Sequence, residues 1–180
     1  MEEFKLSELL EGRPENIETD KEKNCYDILD KLGIKYQRVE YNFFPKELEE
    51  LKMIDEKLNV KGIKNLIFRN KNKDQFFFVI IPREERFNDK EFRHKFELPT
   101  ITMAKREDLE ELLNTHSGAV SIMELVNDKN NIIKLFIDEN ILKEEYFRFH
   151  PNENSSTIRI SMEDFKNKLI LYLKHDINML

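Results

Sequence analysis

Residues 76–81 form an unbroken apolar run, FFFVII. Phenylalanine, valine and isoleucine favour extended structure, so the run predicts a β-strand. Both faces of such a strand are apolar, and each face needs cover from another layer of the protein. We therefore expect a central strand of a sheet that is packed on both sides.

A second β run, KNLIFRN, precedes it at residues 64–70, and the polar stretch KNKD joins the two runs. Two extended runs with a short polar connection are typical of a β-hairpin. Thr19 and Glu22 predict the capping box of a helix that Gly33 ends, and Pro45 predicts the start of another helix. HSGAVSIMELVND, residues 116–128, is expected to be a loop.

The order of the predicted elements is helix, strand, helix, several strands, helix, strands, helix. This order favours an α/β or mixed α+β domain with a mixed central β-sheet and flanking helices. The length of 180 residues suits one domain, or one domain with a short appendage. We predict an N-terminal leader over residues 1–19 and a single functional domain over residues 20–180.

Charge and composition limit the possible partners and compartments. The net charge is −6. Proteins that bind nucleic acid non-specifically usually carry an excess of Lys and Arg, which this sequence lacks. Any contact with nucleic acid must then come from a local basic patch, for which the candidates are Lys61, Lys64, Arg69, Lys71 and Lys73. No apolar run reaches the ~18 residues that a membrane helix needs, and the single cysteine fits a reducing compartment. We expect a cytoplasmic protein with no membrane partner.

Known catalytic and metal-binding motifs are missing from the sequence. The spacing of His94, His116, His150 and His175 matches no metal signature, so we expect no metal and no cofactor. Cys25 falls on the apolar stripe of the first predicted helix, which favours a buried hydrophobic residue over a nucleophile.

Three segments are candidates for polar chemistry, each with a structural alternative. Lys64-Asn65 begins a strand, where a lysine can bind a carbonyl oxygen or can simply be a surface residue. The loop Ser117 to Ser121 contains Gly118 and small residues, which lets backbone N–H groups approach a ligand; otherwise it only connects two elements. Pro151 restricts His150 to an extended backbone beside Asn152 and Asn154, where it could hydrogen-bond a substrate or merely end a strand.

In combination and in this order, the K-N-L strand, the G-x-V-S loop and the F-H-P-x-x-N segment resemble the free-standing prolyl-tRNA editing proteins. These proteins share a superfamily with the editing domain of bacterial prolyl-tRNA synthetase and the YbaK-type Cys-tRNA deacylases. The resemblance spans residues 20 to 173. It implies hydrolysis of the ester between an amino acid and the terminal adenosine of tRNA, with alanyl-tRNA(Pro) as the leading substrate.

The resemblance also implies roles for particular residues. It makes Lys64, Gly118 and His150 the catalytic candidates. The expected substrate-binding residues are Asn65, Ala119, Val120, Ser121, Ile122, Asn152 and Asn154. The implied mechanism has no covalent nucleophile and no metal: a water attacks the ester, helped by a ribose hydroxyl of the tRNA.

The sequence departs from the family at two positions, and the second leaves the substrate open. Many family members have proline where this chain has Ile122, and some have histidine where it has Asn42. The second difference bears on pocket size, so cysteinyl-, seryl-, threonyl- and aminobutyryl-tRNA stay as alternatives. A tRNA-binding module without activity is another. The expected partners are the acceptor end of a mischarged tRNA and prolyl-tRNA synthetase.

Overall fold

The computed structural model describes residues 3–116, 118–153 and 155–180. Its strands are β1 Leu10–Glu11, β2 Tyr36–Glu40, β3 Ile63–Asn70, β4 Phe76–Pro82, β5 Ile101–Met103, β6 Ile133–Ile137, β7 Tyr146–Phe149, β8 Ser156–Ser161 and β9 Ile177–Met179. Its α-helices are α1 Asp20–Lys31, α2 Leu48–Leu58, α3 Asp89–Lys95, α4 Arg106–Leu113, α5 Glu139–Leu142, α6 Met162–Asp164 and α7 Ile170–Leu173. A 3₁₀ helix covers Ile122–Asn127, and a π-helical turn, Phe165–Leu169, joins α6 to α7.

Among the described residues, β4 is the central strand of a mixed five-stranded sheet in the order β5-β3-β4-β6-β9. It pairs antiparallel with β3 and parallel with β6. Phe76, Phe78 and Ile80 enter the largest apolar cluster on one face. Phe77, Val79 and Ile81 enter a second cluster on the other face. The predicted hairpin and the strand packed on both sides are confirmed.

The remaining strands of the described chain form a separate antiparallel sheet in the order β1-β2-β8-β7. Its core pairing joins β2 to β8, from Tyr36 opposite Ile160 to Glu40 opposite Ser156. The mixed sheet with flanking helices is therefore as predicted, and the strands around residues 36–40 and 146–161 belong to a second layer.

Local signals fix the first two helices. Thr19 caps α1, with its hydroxyl oxygen accepting from the Glu22 backbone N–H at 3.2 Å. The Glu22 carboxylate accepts from the Glu18 N–H at 3.2 Å, one residue before the predicted partner. In α2 the capping residue is Glu47, so that helix begins three residues after Pro45.

The segment expected to be a loop contains the 3₁₀ helix over Ile122–Asn127, and this expectation was wrong. The cause is local, because the Ser121 side chain accepts from the Met123 N–H and the Glu124 carboxylate accepts from the Ser121 N–H. The Ser121 side chain also accepts from the backbone of Glu124, which with the Glu124 carboxylate forms the capping box that begins a helix. β1 and β9 were also not expected from the sequence.

The described part of the leader packs onto the rest of the protein. Leu10 pairs with Arg38 in β1 and β2, and Phe4 is buried in a cluster with Val39, Ile54 and Leu58. The domain boundary at residue 19 stays a prediction. Within the described residues, no helix combines the length and apolar character needed to cross a bilayer.

Candidate functional site

A cavity of about 300 Å³ is lined by residues of both sheets and of α2. Five of the residues singled out from the sequence line it together: Lys64, Asn65, Gly118, Val120 and His150. They come from the start of β3, from the loop after α4 and from the end of β7. Segments far apart in the sequence thus meet at one site.

Lys64 is half-buried at the start of β3, opposite Ile81 of β4. Its ammonium group donates a hydrogen bond to the backbone carbonyl of Glu85, in the turn that follows β4. An ammonium group has three donors, so this bond leaves others for a ligand. The side chain therefore supplies a positive charge at the wall of the cavity.

Asn65 connects β3 to the loop over residues 117–121, which is called the glycine loop below. Its side-chain N–H₂ donates to the carbonyl of Val120 at 2.8 Å. Its carbonyl oxygen, Oδ1, is buried and has no hydrogen-bond partner among the described residues. Leaving a buried acceptor unpaired costs free energy, and a donor on a ligand would remove that cost. Asn65 can thus hold the loop and accept a hydrogen bond from a substrate at once.

Gly118 and Val120 are the residues of the described loop that line the cavity. Gly118 has φ of 89°, a conformation that favours glycine. The Ala119 N–H donates to the His116 carbonyl at 3.1 Å, and the Ser121 N–H donates to Glu124 at 3.1 Å. Within the described residues, these two N–H groups serve the loop itself, and those of Gly118 and Val120 are left to approach a ligand.

Ala119, Ser121 and Ile122 are buried outside the cavity lining. The Ser121 hydroxyl donates to the backbone carbonyl of His150 at 2.7 Å, which joins the loop to the end of β7. This bond explains why Gly118 and His150 lie at one site. That these three residues contact substrate stays a prediction.

His150 is held neutral at physiological pH. Its Nδ1 is buried without a hydrogen-bond partner among the described residues. This burial, together with the positive charge of Arg148, lowers the pKa of His150 to about 4. A neutral imidazole can accept one hydrogen bond and donate another, so His150 can orient a polar substrate group or a water.

Of the two asparagines after His150 that are predicted to bind substrate, one lies within the described residues and one does not. Asn152 is buried with φ of 63°, does not line the cavity, and has a side-chain oxygen with no partner within the described part of the chain. Asn154 lies outside the described residues, as does Ser117 of the glycine loop. Substrate binding by either asparagine stays a prediction.

Sequence reasoning missed the arginines of the cavity. Arg83, just after β4, and Arg148 of β7 both line it, and both donate hydrogen bonds to the carboxylate of Asp55 in α2. The sequence did carry a signal for Arg148, because it is the one charged residue in the otherwise aromatic strand β7, YFRF. A charged side chain in so apolar a strand is rarely buried without a partner.

The apolar part of the cavity lining was also missed. Its residues come from the segment before α2, from α2 and from β3: Phe44, Pro45, Leu51, Ile54 and Ile63. The lining thus combines apolar side chains with a few polar and charged ones, which is typical of sites that bind small molecules.

The proposed basic patch is largely neutralised. Arg69 and Lys73 both pair with Asp108 at 2.8 Å, and Lys61 lies 3.5 Å from Glu144. Of the five patch candidates, only Lys64 lines the cavity.

Two other side chains considered for chemistry are structural. Cys25 is fully buried in α1, where burial raises the pKa of its thiol well above the ordinary value. His175 is buried and contacts Asp128 at 3.0 Å. Across residues 3–116, 118–153 and 155–180, no three His, Cys, Asp or Glu side chains gather as a metal-binding group.

Comparison with known proteins identifies the family. The sequence model of the aminoacyl-tRNA editing domain matches residues 46–168. Prolyl-tRNA editing protein ProX of Acetoanaerobium sticklandii is 28% identical over 138 residues, which cover 77% of this chain and 84% of that protein.

Two solved structures share the fold. One, of a candidate trans-editing enzyme for prolyl tRNA synthetase, has a TM-score of 0.64 at 15% identity and covers 91% of this chain and 98% of its own. The other, hypothetical protein APE2540, has a TM-score of 0.63 at 14% identity, with coverage of 84% and 94%. The family match spans more than half of the sequence, including β3, the glycine loop and β7. The chain therefore belongs to the aminoacyl-tRNA editing domain family.

Proposed function

We propose that this protein is a trans-acting deacylase that hydrolyses mischarged tRNA, with alanyl-tRNA(Pro) as its substrate. The observation that carries the proposal is the convergence of Lys64, Asn65, Gly118 and His150 on one cavity in a chain of this family. The relative from Acetoanaerobium sticklandii, a prolyl-tRNA editing protein, supports the choice of tRNA.

The ester is already activated, so positioning and charge stabilisation suffice for its hydrolysis. A water oxygen attacks the ester carbonyl carbon, and the bond from that carbon to the ribose oxygen breaks. The ribose oxygen takes a proton, which the neighbouring ribose hydroxyl relays from the water. The products are the free amino acid and uncharged tRNA.

The protein stabilises the charge that develops on the carbonyl oxygen. Lys64 supplies a cation at the cavity wall, and the N–H groups of Gly118 and Val120 supply dipoles. Neutral His150 orients the attacking water or the ribose. Asn65 Oδ1 accepts a hydrogen bond from the amino group of the substrate.

Editing is needed because an apolar pocket separates ligands that differ by one methylene by only about 1–3 kcal/mol. The synthetase for proline therefore admits some alanine, and a second site removes it. We place this reaction in the cytoplasm, with prolyl-tRNA synthetase as the source of the mischarged tRNA.

The test is deacylation of a panel of charged tRNAs by the wild type and by Lys64→Ala. The wild type should release alanine from tRNA(Pro) faster than it releases cysteine, serine, threonine or aminobutyrate from tRNA charged with each of them. Removing a charge that acts on the developing oxyanion should lower kcat by about 100-fold or more. Lys71→Ala removes an exposed lysine of the β3–β4 turn that does not line the cavity, and it should leave the rate unchanged.

Each alternative gives a different result. Faster release of another amino acid would keep the chemistry and change the substrate. Binding of tRNA without turnover across the panel would contradict the deacylase proposal and indicate an inactive binding module.

A further inference from the structure

The deacylation chemistry above makes no use of the charged unit formed by Asp55, Arg83 and Arg148. One carboxylate oxygen of Asp55 accepts from Arg83 and the other accepts from Arg148. The three side chains come from α2, from the end of β4 and from β7, and they are 10%, 11% and 8% exposed. They form the point where these three elements meet.

The charges of this unit do not balance. Two guanidinium groups share one carboxylate, which leaves one excess positive charge in a largely buried place. Burial lowers the pKa of Arg148, but an arginine stays protonated at neutral pH. An unpaired buried charge is costly, so a site of this kind gains free energy when it takes up an anion.

The unit is also fixed in position. Gly62, directly before β3, accepts a backbone hydrogen bond from Arg83 at 2.9 Å. A β-carbon at Gly62 would lie 2.5 Å from a carboxylate oxygen of Asp55 and 2.6 Å from an Arg83 nitrogen. The absence of a side chain at Gly62 thus lets the pair pack against the backbone. A rigid arginine pair loses little entropy when it binds a ligand.

The arginines still have donors to offer. A guanidinium carries five N–H groups, and among the described residues the hydrogen-bond partner of the Arg148 guanidinium is Asp55, through one nitrogen. Both Arg83 and Arg148 line the same cavity as Lys64 and His150. Planar guanidinium groups match the geometry of phosphate and carboxylate oxygens.

We propose that Arg83 and Arg148, held in place by Asp55, form an oxyanion-binding subsite of the cavity. The identity of the anion rests on the proposed function: it is the phosphate that links the terminal adenosine to the rest of the tRNA. The other source of the same chemistry is the carboxylate of the free amino acid that hydrolysis releases.

The test is a calorimetric titration of three small molecules that carry no amino acid, 5′-AMP, adenosine and acetate, into the intact protein. No hydrolysis is involved, so the result does not depend on deacylase activity. The wild type should bind 5′-AMP at least about tenfold more tightly than adenosine, as expected for a charge-assisted contact. Arg148→Met should remove this preference and leave adenosine binding unchanged.

Arg148→Met is a suitable variant because Asp55 keeps Arg83 as a partner and the remaining pair is neutral. Arg106→Met is the matched control: it removes the same charge from an exposed side chain of α4 outside the cavity lining, and it should bind 5′-AMP as the wild type does. Equal affinity of the wild type for 5′-AMP and adenosine would overturn the phosphate assignment even if Arg148→Met failed to fold.

The outcomes separate the two sources and the two proposals. Acetate binding that depends on Arg148, without a preference for 5′-AMP, would keep the subsite and assign it to a carboxylate. No Arg148-dependent binding of either anion would overturn the subsite. If the wild type binds 5′-AMP as expected but deacylates none of the charged tRNAs, only the proposed function is contradicted.

Discussion

Glu124 lies beneath the glycine loop with its carboxyl group almost completely shielded from water. One oxygen accepts from the Ser121 N–H at 3.1 Å, and the other has no hydrogen-bond partner among the described residues. Burial is the main cause that raises the pKa of Glu124 to about 7. A substantial fraction of the molecules therefore carries a proton on this carboxyl group near neutral pH.

This proton links the stability of the protein to pH. In the unfolded chain the carboxyl has its ordinary pKa of 4.5, so between that pH and about 7 the folded state binds a proton that the unfolded state lacks. The contribution of Glu124 is fully present below about pH 4.5 and is lost as the pH rises through about 7, for a total of about 3 kcal/mol.

Glu124→Gln should remove this dependence, because glutamine stays neutral and can still accept from the Ser121 N–H. Urea unfolding at pH 5 and pH 8 measures it: between these two values the wild type should lose about 2–3 kcal/mol more than the variant does. Glu111→Gln removes an exposed carboxylate of α4 and serves as the control. Parallel pH profiles for the wild type and Glu124→Gln would contradict the burial argument.

At the scale of elements, the glycine loop is positioned by hydrogen bonds at both of its sides. Asn65 of β3 holds the Val120 carbonyl, and Ser121 holds the His150 carbonyl while capping the 3₁₀ helix. The loop thus bridges β3 and β7, the strands that carry Lys64 and lead to His150.

Ser121→Ala removes the cap and the bond to His150 and should cost about 1–2 kcal/mol of unfolding free energy. Because the loop loses its tie to β7, the deacylation kcat should fall about tenfold. Ser161→Ala is the matched control: Ser161 caps the last helix by accepting from the Asp164 N–H at 3.0 Å, and it does not line the cavity.

Ser161→Ala should lower stability to a similar degree without changing kcat. If both variants lose activity equally, stability alone accounts for the effect and the positioning role of Ser121 is contradicted.

How far the sequence could predict these elements depends on how local their causes are. The β3–β4 hairpin and the caps at Thr19 and Ser161 rest on neighbouring residues, and all three were predictable. Ser121 and Glu124 carry the S-x-x-E signature of a helix start, so the 3₁₀ helix was also within reach of the sequence. It was missed because glycine and small residues nearby favoured a loop.

The arginine pair could not be predicted in the same way. Asp55 lies 28 residues from Arg83 and 93 residues from Arg148 in the sequence, and no spacing rule connects them. Their contact exists only because the end of α2 packs where β4 and β7 end. The separate antiparallel sheet has the same origin, since β2 pairs with a strand from the far end of the chain.

At the scale of the whole molecule, the leader packs against side chains that line the cavity. Phe4 packs against Tyr41 and Phe43, with ring centroids 5.9 Å and 5.4 Å away. It also belongs to the apolar cluster of Ile54. Tyr41 and Ile54 themselves line the cavity, so one layer of side chains separates Phe4 from the cavity.

Phe4→Ala should cost about 3–5 kcal/mol of unfolding free energy, the usual range for a buried phenylalanine. It should also lower the activity of each folded molecule, because Tyr41 and Ile54 lose their support. Thermal unfolding and kcat/KM measured well below the Tm separate the two effects. Phe92→Ala is the control, since Phe92 is buried in the cluster on the other face of β4.

Phe92→Ala should destabilise the fold to a similar extent with unchanged kcat/KM per folded molecule. The same loss of kcat/KM in both variants would show that the leader acts through stability alone.

The pairing of β2 with β8 also determines when the cavity can form during synthesis. Tyr41 donates to the carbonyl of Ser156 at 3.1 Å, across 115 residues of sequence. During synthesis, the leader, α1 and β2 emerge from the ribosome long before β8. The edge of β2 that pairs with β8 therefore stays unpaired until β8 has been synthesised. Until β8 has emerged from the ribosome the chain lacks Thr157 of the cavity lining, so the complete site can form only after most of the chain has been synthesised.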